Sequence, residues 1–574
     1  MITEILFCVS TFLLVKFLVG RRGKRREVCQ HWKSPPSPRG WPLLGNVSIF
    51  AGSGTSYEKL RKVADDHGDV VTINLGPVRM LILSSASAVR EAFVKNAQDF
   101  AGRPLNFTLS LLSRNGCGIA FADYSDSWRA HKRATGAALR KFLSPSADGD
   151  RHLEAGSTLS PDLAPAERAI LSEALHLREK LSSLVDRPLN PSRHLTIAIL
   201  NVVCALTFGR RYDDDDPELW AFVDSNKKLK EIFQPGHPVD IFPALKIFPW
   251  KRLRNVVDLR TTRDTILQRE YDHHLATLDS EHIRDFTDTM LVHGRDHNAN
   301  VCESALKKPK RPCATGDDPD DDPDVHTDDG RGDTMKEDEV VMAMWEVFAG
   351  GFESTLQTMR WAMAYLVHYP QVQSRLWREL AIVLPAGTAP RWSDRSRLPY
   401  LHAAILELLR HSSLSSLNGV HRVTRDTRVG GYDVAMDTVV FCNLWWIHHD
   451  PRNWKDPDNF NPDNFLDESG KVHVPRHFMP FSIGLRTCLG DKLAKMSLFV
   501  NLGMLVQAFT IEPTSTRTPP KLTPTSPEPI RIIDEYEIVL RSRPLMKPSV
   551  GCEGAESLTV VGSVGQMTPV RETG

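Results

Sequence analysis

The chain has 574 residues, 41% hydrophobic and 25% charged, a composition that excludes the disordered and fibrous classes. Lys plus Arg and Asp plus Glu number 71 each, so the formal net charge is zero and no nucleic-acid partner is indicated. The 9 Cys contain no C-x-x-C pair, which speaks against a zinc ribbon or a redox dithiol and suits free thiols in a reducing compartment. Length alone would allow several domains, but no linker divides the chain, so residues 47–546 read as one large domain.

Residues 1–20, MITEILFCVSTFLLVKFLVG, carry only Glu4 and Lys16 as charges. At about 1.5 Å per residue this stretch just spans a bilayer as a transmembrane helix. The basic run Arg21, Arg22, Lys24, Arg25 and Arg26 follows, which keeps the body on the cytosolic side. A cleaved signal peptide fits less well, because the charges follow the apolar stretch and no small-residue cleavage site stands out. Residues 21–46 read as a basic and Pro-rich linker, a spacer stiffened by Pro35, Pro36, Pro38 and Pro42.

Beyond the linker, helical periodicity dominates, with strand-like stretches at 70–75, 80–84, 429–438 and 536–540. Residues 144–164, rich in Ser, Asp, Pro and Gly, and residues 307–334, rich in Asp, read as solvated insertions, the acidic one spanning about 303–334. The acidic run lacks calcium-loop spacing. Its neighbours KKPKRP and Arg331-Gly332-Asp333 read as chance matches to a nuclear signal and an adhesion tripeptide. Residues 339–368 read as one long helix ended by Pro370. It contains Gly350 and Gly351, each costing about 1 kcal/mol relative to Ala and therefore needing a reason. Residues 547–574 read as a disordered tail.

The chemistry concentrates in Phe481-Ser-Ile-Gly484-Leu-Arg486-Thr-Cys488-Leu-Gly490. An amphipathic helix, DKLAKMSLFVNLGMLVQAF, follows it, so Cys488 lies in a Gly-flanked loop at a helix N-terminus, where N–H groups and the dipole lower a thiol pKa. The glycines let a flat cofactor approach the backbone, and Arg486 can reach an anionic group on it. A buried structural role is the default for a lone cysteine. The joint spacing of Phe, Gly, Arg, Cys and Gly argues against it here.

This segment resembles the haem-binding signature of the cytochrome P450 superfamily, microsomal type, and the resemblance covers nearly the whole chain. It implies a mainly α fold with small β-sheets, and haem b whose iron is held by the Cys488 thiolate. Trp128 and Lys132 in WRAHK, and His421 in GVHRVTRDT, match positions that hold the haem propionates. Glu407 and Arg410, i and i+3 in ILELLRHSS, match the pair that locks the following meander. In that meander, PDNFNPDNF, Asn464 stands where the family commonly has Arg and brings no charge. Glu353 and Ser354 match the family's acid–alcohol pair for proton delivery, on a helix expected to open locally at the two glycines to admit dioxygen. Ser in place of the commoner Thr keeps the hydroxyl but loses the methyl that restrains its rotamer, so somewhat more uncoupling is expected.

No dinucleotide fingerprint or flavin motif occurs. The resemblance therefore implies electrons from NADPH through NADPH–cytochrome P450 reductase, with cytochrome b5 as a second candidate donor, at the endoplasmic reticulum membrane. AGRPLNF, VDIFPALKIFP and LWWIHHDPRNWKDP resemble the steroid 17α-hydroxylase/17,20-lyase branch, and Asn226, shortly after D-P-E-L, matches its steroid-anchoring position. The plain alternative for Asn226 is a solvent-facing helix residue. LRHSSL and HRVTRDT resemble the aryl-hydrocarbon-oxidising branch. Steroid oxidation is the leading expectation, and oxidation of aryl hydrocarbons or other xenobiotics the alternative. Two other classes, a haem-thiolate isomerase and a non-catalytic haem or lipid carrier, have less use for Glu353 and Ser354.

Overall fold

The computed structural model describes residues 32–145, 162–227, 232, 238–241, 243–248, 250–303, 335–385, 387–514, 519–524 and 530–544. Of residues 225–227, 238, 241, 243, 244 and 295–303 it describes the backbone alone. The expected anchor at 1–20, the basic run, nearly all of both insertions and the 547–574 tail lie outside the described residues. Among the described residues no helix is long and apolar enough to cross a membrane.

The main helices are α1 (Asp126–Phe142), α2 (Pro165–Ser182), α3 (Ser192–Phe208), α4 (Pro217–Lys227), α5 (Lys251–Thr277), α6 (Glu337–His368), α7 (Pro399–Ser412) and α8 (Asp491–Ala508). The long helix expected at 339–368 is α6, beginning two residues earlier. It is apolar on nearly every side, so it runs through the interior, packed against α3, α7 and α8. Trp361 and Tyr365 are among the most deeply buried side chains. Proline at 370 does not merely end α6; it opens a further helix, Pro370–Val383, as its fixed φ allows at a first helical position.

The strands are short: β1 (Val70–Leu75), β2 (Val78–Leu83), β3 (Pro188–Leu189), β4 (His421–Arg422), β5 (Thr427–Val429), β6 (Tyr432–Val434), β7 (Val439–Cys442), β8 (Phe509–Pro513) and β9 (Ile538–Ser542). They form a four-stranded sheet in the order β1-β2-β7-β4, a three-stranded sheet β3-β9-β8 and the hairpin β5-β6. The β2–β7 pairing is parallel, with Met80 opposite Val439. The single strand expected at 429–438 is a hairpin instead: Gly430 and Gly431, both at positive φ, turn the chain back on itself.

The Pro-rich segment is not a free spacer where it is described. Lys33 exchanges two hydrogen bonds with Asp433, backbone N–H to carboxylate at 2.7 Å and carbonyl from backbone N–H at 2.7 Å. The Pro36 carbonyl accepts from Thr72 N–H at 2.9 Å, and the Pro38 carbonyl from the Asn46 amide at 3.0 Å. Proline has no N–H to offer, but its carbonyls tie residues 33–46 to the sheet.

Candidate haem-thiolate active site

A cavity holding about 1200 Å³ of empty space, part of it open to solvent, lies between α1, α3, α6 and the loop leading into α8. Cys488 and Gly490 of that loop lie on its wall, as do Gly350, Gly351 and Ser354 of α6. The rest of the wall is largely apolar, with Ile119, Ile199, Val202, Val203 and Leu485.

The loop is a tight return. Cys488 N–H donates to the Phe481 carbonyl at 3.0 Å and Thr487 N–H to the Gly484 carbonyl at 3.0 Å, after which Ala494 N–H closes the first turn of α8 on Gly490. Gly484 is required by space as well as by its φ of 78°, because a Cβ there would lie 1.8 Å from the Phe93 carbonyl oxygen. Cys488 is exposed, but to the cavity. Burial raises its thiol above the ordinary value, and the Gly490 N–H pulls the other way. The lowered thiol expected at a helix N-terminus is therefore not a property of the protein fold alone, since desolvation outweighs the N–H groups.

Three cations share the wall: Arg103, Lys132 and Arg486. Arg486 donates to the carbonyls of Ala101, Ile119 and Ala122 at 2.8 to 2.9 Å, and its guanidinium lies 3.8 Å from the centre of the Trp128 ring. Desolvation, then the neighbouring Arg103, pushes its pKa down to about 8. Lys132 is nine-tenths buried, with Nζ 5.9 Å from the same ring. Trp128 thus presents a ring face to two cations, while its own Nε1 donates to the Ile119 carbonyl at 2.9 Å.

Two further wall residues lie outside the site residues expected from the sequence. Arg103 donates to the Ala120 carbonyl at 2.9 Å and the Val420 carbonyl, and burial pushes its pKa down to about 10. Glu346, on α6, is the cavity's one carboxylate among the described residues. It accepts from Ile119 N–H at 2.6 Å and Ala120 N–H at 3.0 Å, and burial raises its pKa to about 7 against the pull of those bonds and of Arg486 and Arg103. The loop reaches it only because Gly118, at a φ of 92°, has no Cβ. The signal was spacing: Glu346, Gly350 and Ser354 are i, i+4 and i+8, one face of one helix.

Other expected residues stand elsewhere. Glu353 is off the wall, its Oε1 accepting from the Gln357 amide at 2.9 Å. His421, in β4, is buried behind the wall, with Nδ1 2.8 Å from the Phe100 carbonyl and its ring stacked on Phe93 at 4.1 Å. Burial and Arg103 hold its pKa well below the ordinary value. Nor does α6 open at its glycines: it is α-helical throughout. The glycines have another reason. A Cβ on Gly350 would meet no protein atom and would project into open space, whereas one on Gly351 would lie 3.2 Å from Val203 on α3. The Ser354 hydroxyl donates back to the Gly350 carbonyl at 2.6 Å. Asn226 lies in the last turn of α4, its side chain outside the described residues.

Glu407 and Arg410 form a fully buried ion pair with two contacts of 2.7 Å. Arg410 also donates to the carbonyls of His448, Pro457 and Asn459. Asn464, in the position usually held by Arg, reaches Glu407 at 3.3 and 3.4 Å. The pair thus ties α7 to the meander that leads to the Cys488 loop.

The model of the family described as Cytochrome P450 matches residues 35–308 and 321–538. The chain belongs to the cytochrome P450 family. It is 31% identical to Cytochrome P450 1A1 of Rattus norvegicus over 517 residues, 88% of this chain and 89% of that one. Against Cytochrome P450 1A1 of Homo sapiens the identity is 31% over 514 residues, 88% and 91% of the two chains. As a cytochrome P450 the protein is a monooxygenase, with a haem-thiolate iron cofactor, dioxygen as oxidant and reductase-supplied electrons. The wall fits that group. Its one cysteine faces the cavity, three glycines leave the backbone bare, and three cations against one carboxylate suit a flat dianion.

Proposed function

We propose that the Cys488 thiolate would hold the haem iron and that Arg103, Lys132 and Arg486, the last two beside the Trp128 ring, would hold the haem propionates. The supporting observation is the shared wall: Cys488 on the α8 side and Ser354 on the α6 side of one cavity. The bound group supplies activation of dioxygen at iron. Ser354 holds water or a proton at Oγ once that hydroxyl turns from the Gly350 carbonyl into the cavity. Glu353 supplies protons from behind Ser354, and Glu407 and Arg410 keep the Cys488 approach in register. His421 acts through the strand that carries it.

The substrate we propose is a planar aromatic or similarly lipophilic xenobiotic, not a steroid. The reported relatives are P450 1A1 proteins, and the steroid resemblance rests on short stretches. The apolar wall favours such a ligand through burial. Electrons reach the site from NADPH–cytochrome P450 reductase, with cytochrome b5 a further donor, and residues 1–20 anchor the chain among endoplasmic reticulum lipids as a single span, body to the cytosol.

The test has two arms. The reduced, carbon-monoxide-bound protein should show the red-shifted Soret band of a thiolate complex, and Cys488→Ser should abolish it; retention of that band rejects Cys488. In the second arm polycyclic aromatics and C21 steroids are titrated against the haem spectrum. Shifts with steroids alone would restore the steroid reading.

A further inference from the structure

The acid expected to serve dioxygen chemistry is tied along its own helix. Glu353 accepts from Gln357 Nε2 at 2.9 Å, and Gln357 Oε1 accepts from Arg360 Nη1 at 3.3 Å. The three residues are i, i+4 and i+7, two turns of one face of α6. Gln357 is 3% exposed and Arg360 6%. Arg360 has no second anchor for its charge: Nε and Nη2 are buried without a hydrogen-bond partner among the described residues.

A buried guanidinium in that state is costly unless a counter-charge is near. The amide between the two charges is the one neutral group that can both donate to a carboxylate and accept from a guanidinium. Its orientation follows from its partners, since the opposite flip would set the amide N–H groups against Arg360 and the carbonyl against Glu353. Glu353, Gln357 and Arg360 therefore form an ion pair bridged by a glutamine.

We propose that Gln357 and Arg360 are positioning residues that hold the Glu353 carboxylate along α6, off the cavity wall, so that Glu353 exchanges its bond to Gln357 for one on the cavity side whenever it serves the site. This rests on the reading that Glu353 supplies protons. Neither residue touches the cavity, so both act through Glu353.

The experiment uses the full-length, haem-loaded protein with its reductase. Gln357→Met keeps the volume and removes both hydrogen bonds. Two quantities are read: the infrared C–O stretch of the reduced carbon-monoxide complex, which senses polar groups on the distal side without turnover, and the peroxide released per NADPH across pH 6–9. In Gln357→Met the freed carboxylate should shift or split the C–O band and change the peroxide fraction by about threefold, the scale of one hydrogen bond. The double variant Glu353→Gln, Gln357→Met should match Glu353→Gln alone. Arg360→Met, which leaves the amide but removes its anchor, should give the same change in smaller measure.

If Glu353→Gln alters the peroxide fraction while Gln357→Met alters neither quantity, the bridge is overturned and the role of Glu353 stands. If Glu353→Gln itself changes nothing, the proton-delivery reading falls and takes this proposal with it. Loss of haem in both Gln357→Met and Arg360→Met would show the chain to be packing alone, which also overturns it.

Discussion

Glu346 gives the cavity a group that titrates near neutrality. Its pKa of about 7 in the folded protein lies above the ordinary 4.5, because burial outweighs its two N–H donors and two neighbouring cations. The folded state therefore binds the Glu346 proton more tightly than the unfolded chain does. The stability that comes with that proton is present below about pH 4.5 and is lost as pH rises toward 7, on the order of 3 kcal/mol in all. Glu346→Gln should flatten that decline in thermal midpoints measured from pH 5 to 8, and should leave the Cys488-dependent Soret band in place. An unchanged slope would mean that the carboxylate is solvated in the folded protein. Composition could not have singled this residue out. An acid in a largely apolar helix reads as its one solvent-facing position, and only the backbone of residues 118–120 closing over it makes it interior. The reverse holds for Glu353 and His421, whose motifs were plain but whose side chains the fold turns elsewhere. Cys488, Arg486, Lys132 and Trp128 do gather on one wall, since their spacing is set by a short loop and one helix turn, which sequence conveys well.

At the scale of elements, the junction of α7 with the meander rests on a charge pair with no solvent around it. Glu407→Ala leaves Arg410 buried with carbonyl partners only and should cost about 3–5 kcal/mol, with haem content falling in parallel. Asn464→Ala removes two long hydrogen bonds and should cost about 0.5–1.5 kcal/mol, with haem retained. Chemical denaturation of both variants separates the two, and equal losses would place Asn464 on a level with the pair. The α6 glycines make a second contrast. Gly350→Ala gains helix propensity of about 1 kcal/mol and meets no protein atom, so it should raise the melting temperature while weakening ligand binding. Gly351→Ala presses on Val203 and should lower it. Adjacent glycines in a helix suggested an opening. What the pair provides is bare backbone, one residue toward the cavity and one toward α3. Helices α6 and α8 were legible from periodicity to within a few residues, α7 starts six residues before ILELLRHSS, and the β5–β6 hairpin was hidden because its alternation runs across the turn.

For the molecule as a whole, the core is continuous from α2 and α3 through α6 to α8 and takes in Phe509 and Ile511 of β8 and Ile538 and Leu540 of β9, while β1, β2 and β7 build separate clusters. The match to the family model begins at residue 35, downstream of residues 1–31. Deleting residues 1–26 should thus leave folded, haem-loaded protein that stays in solution with far less detergent. Failure to load haem would show that the segment belongs to the body. What sequence could not convey is where the body begins, since the Pro-rich stretch resembles a spacer in composition and becomes part of the sheet through its carbonyls. That attachment has a mechanical consequence. With Lys33 pinned to Asp433, and with residues 1–20 in a bilayer as proposed, the covalent length of the twelve residues 21–32 would limit the distance from membrane to body to about 40 Å. Under that anchoring the Lys33–Asp433 attachment would be the point of the body from which the chain leads to the membrane, and the body's height above the bilayer would have a ceiling.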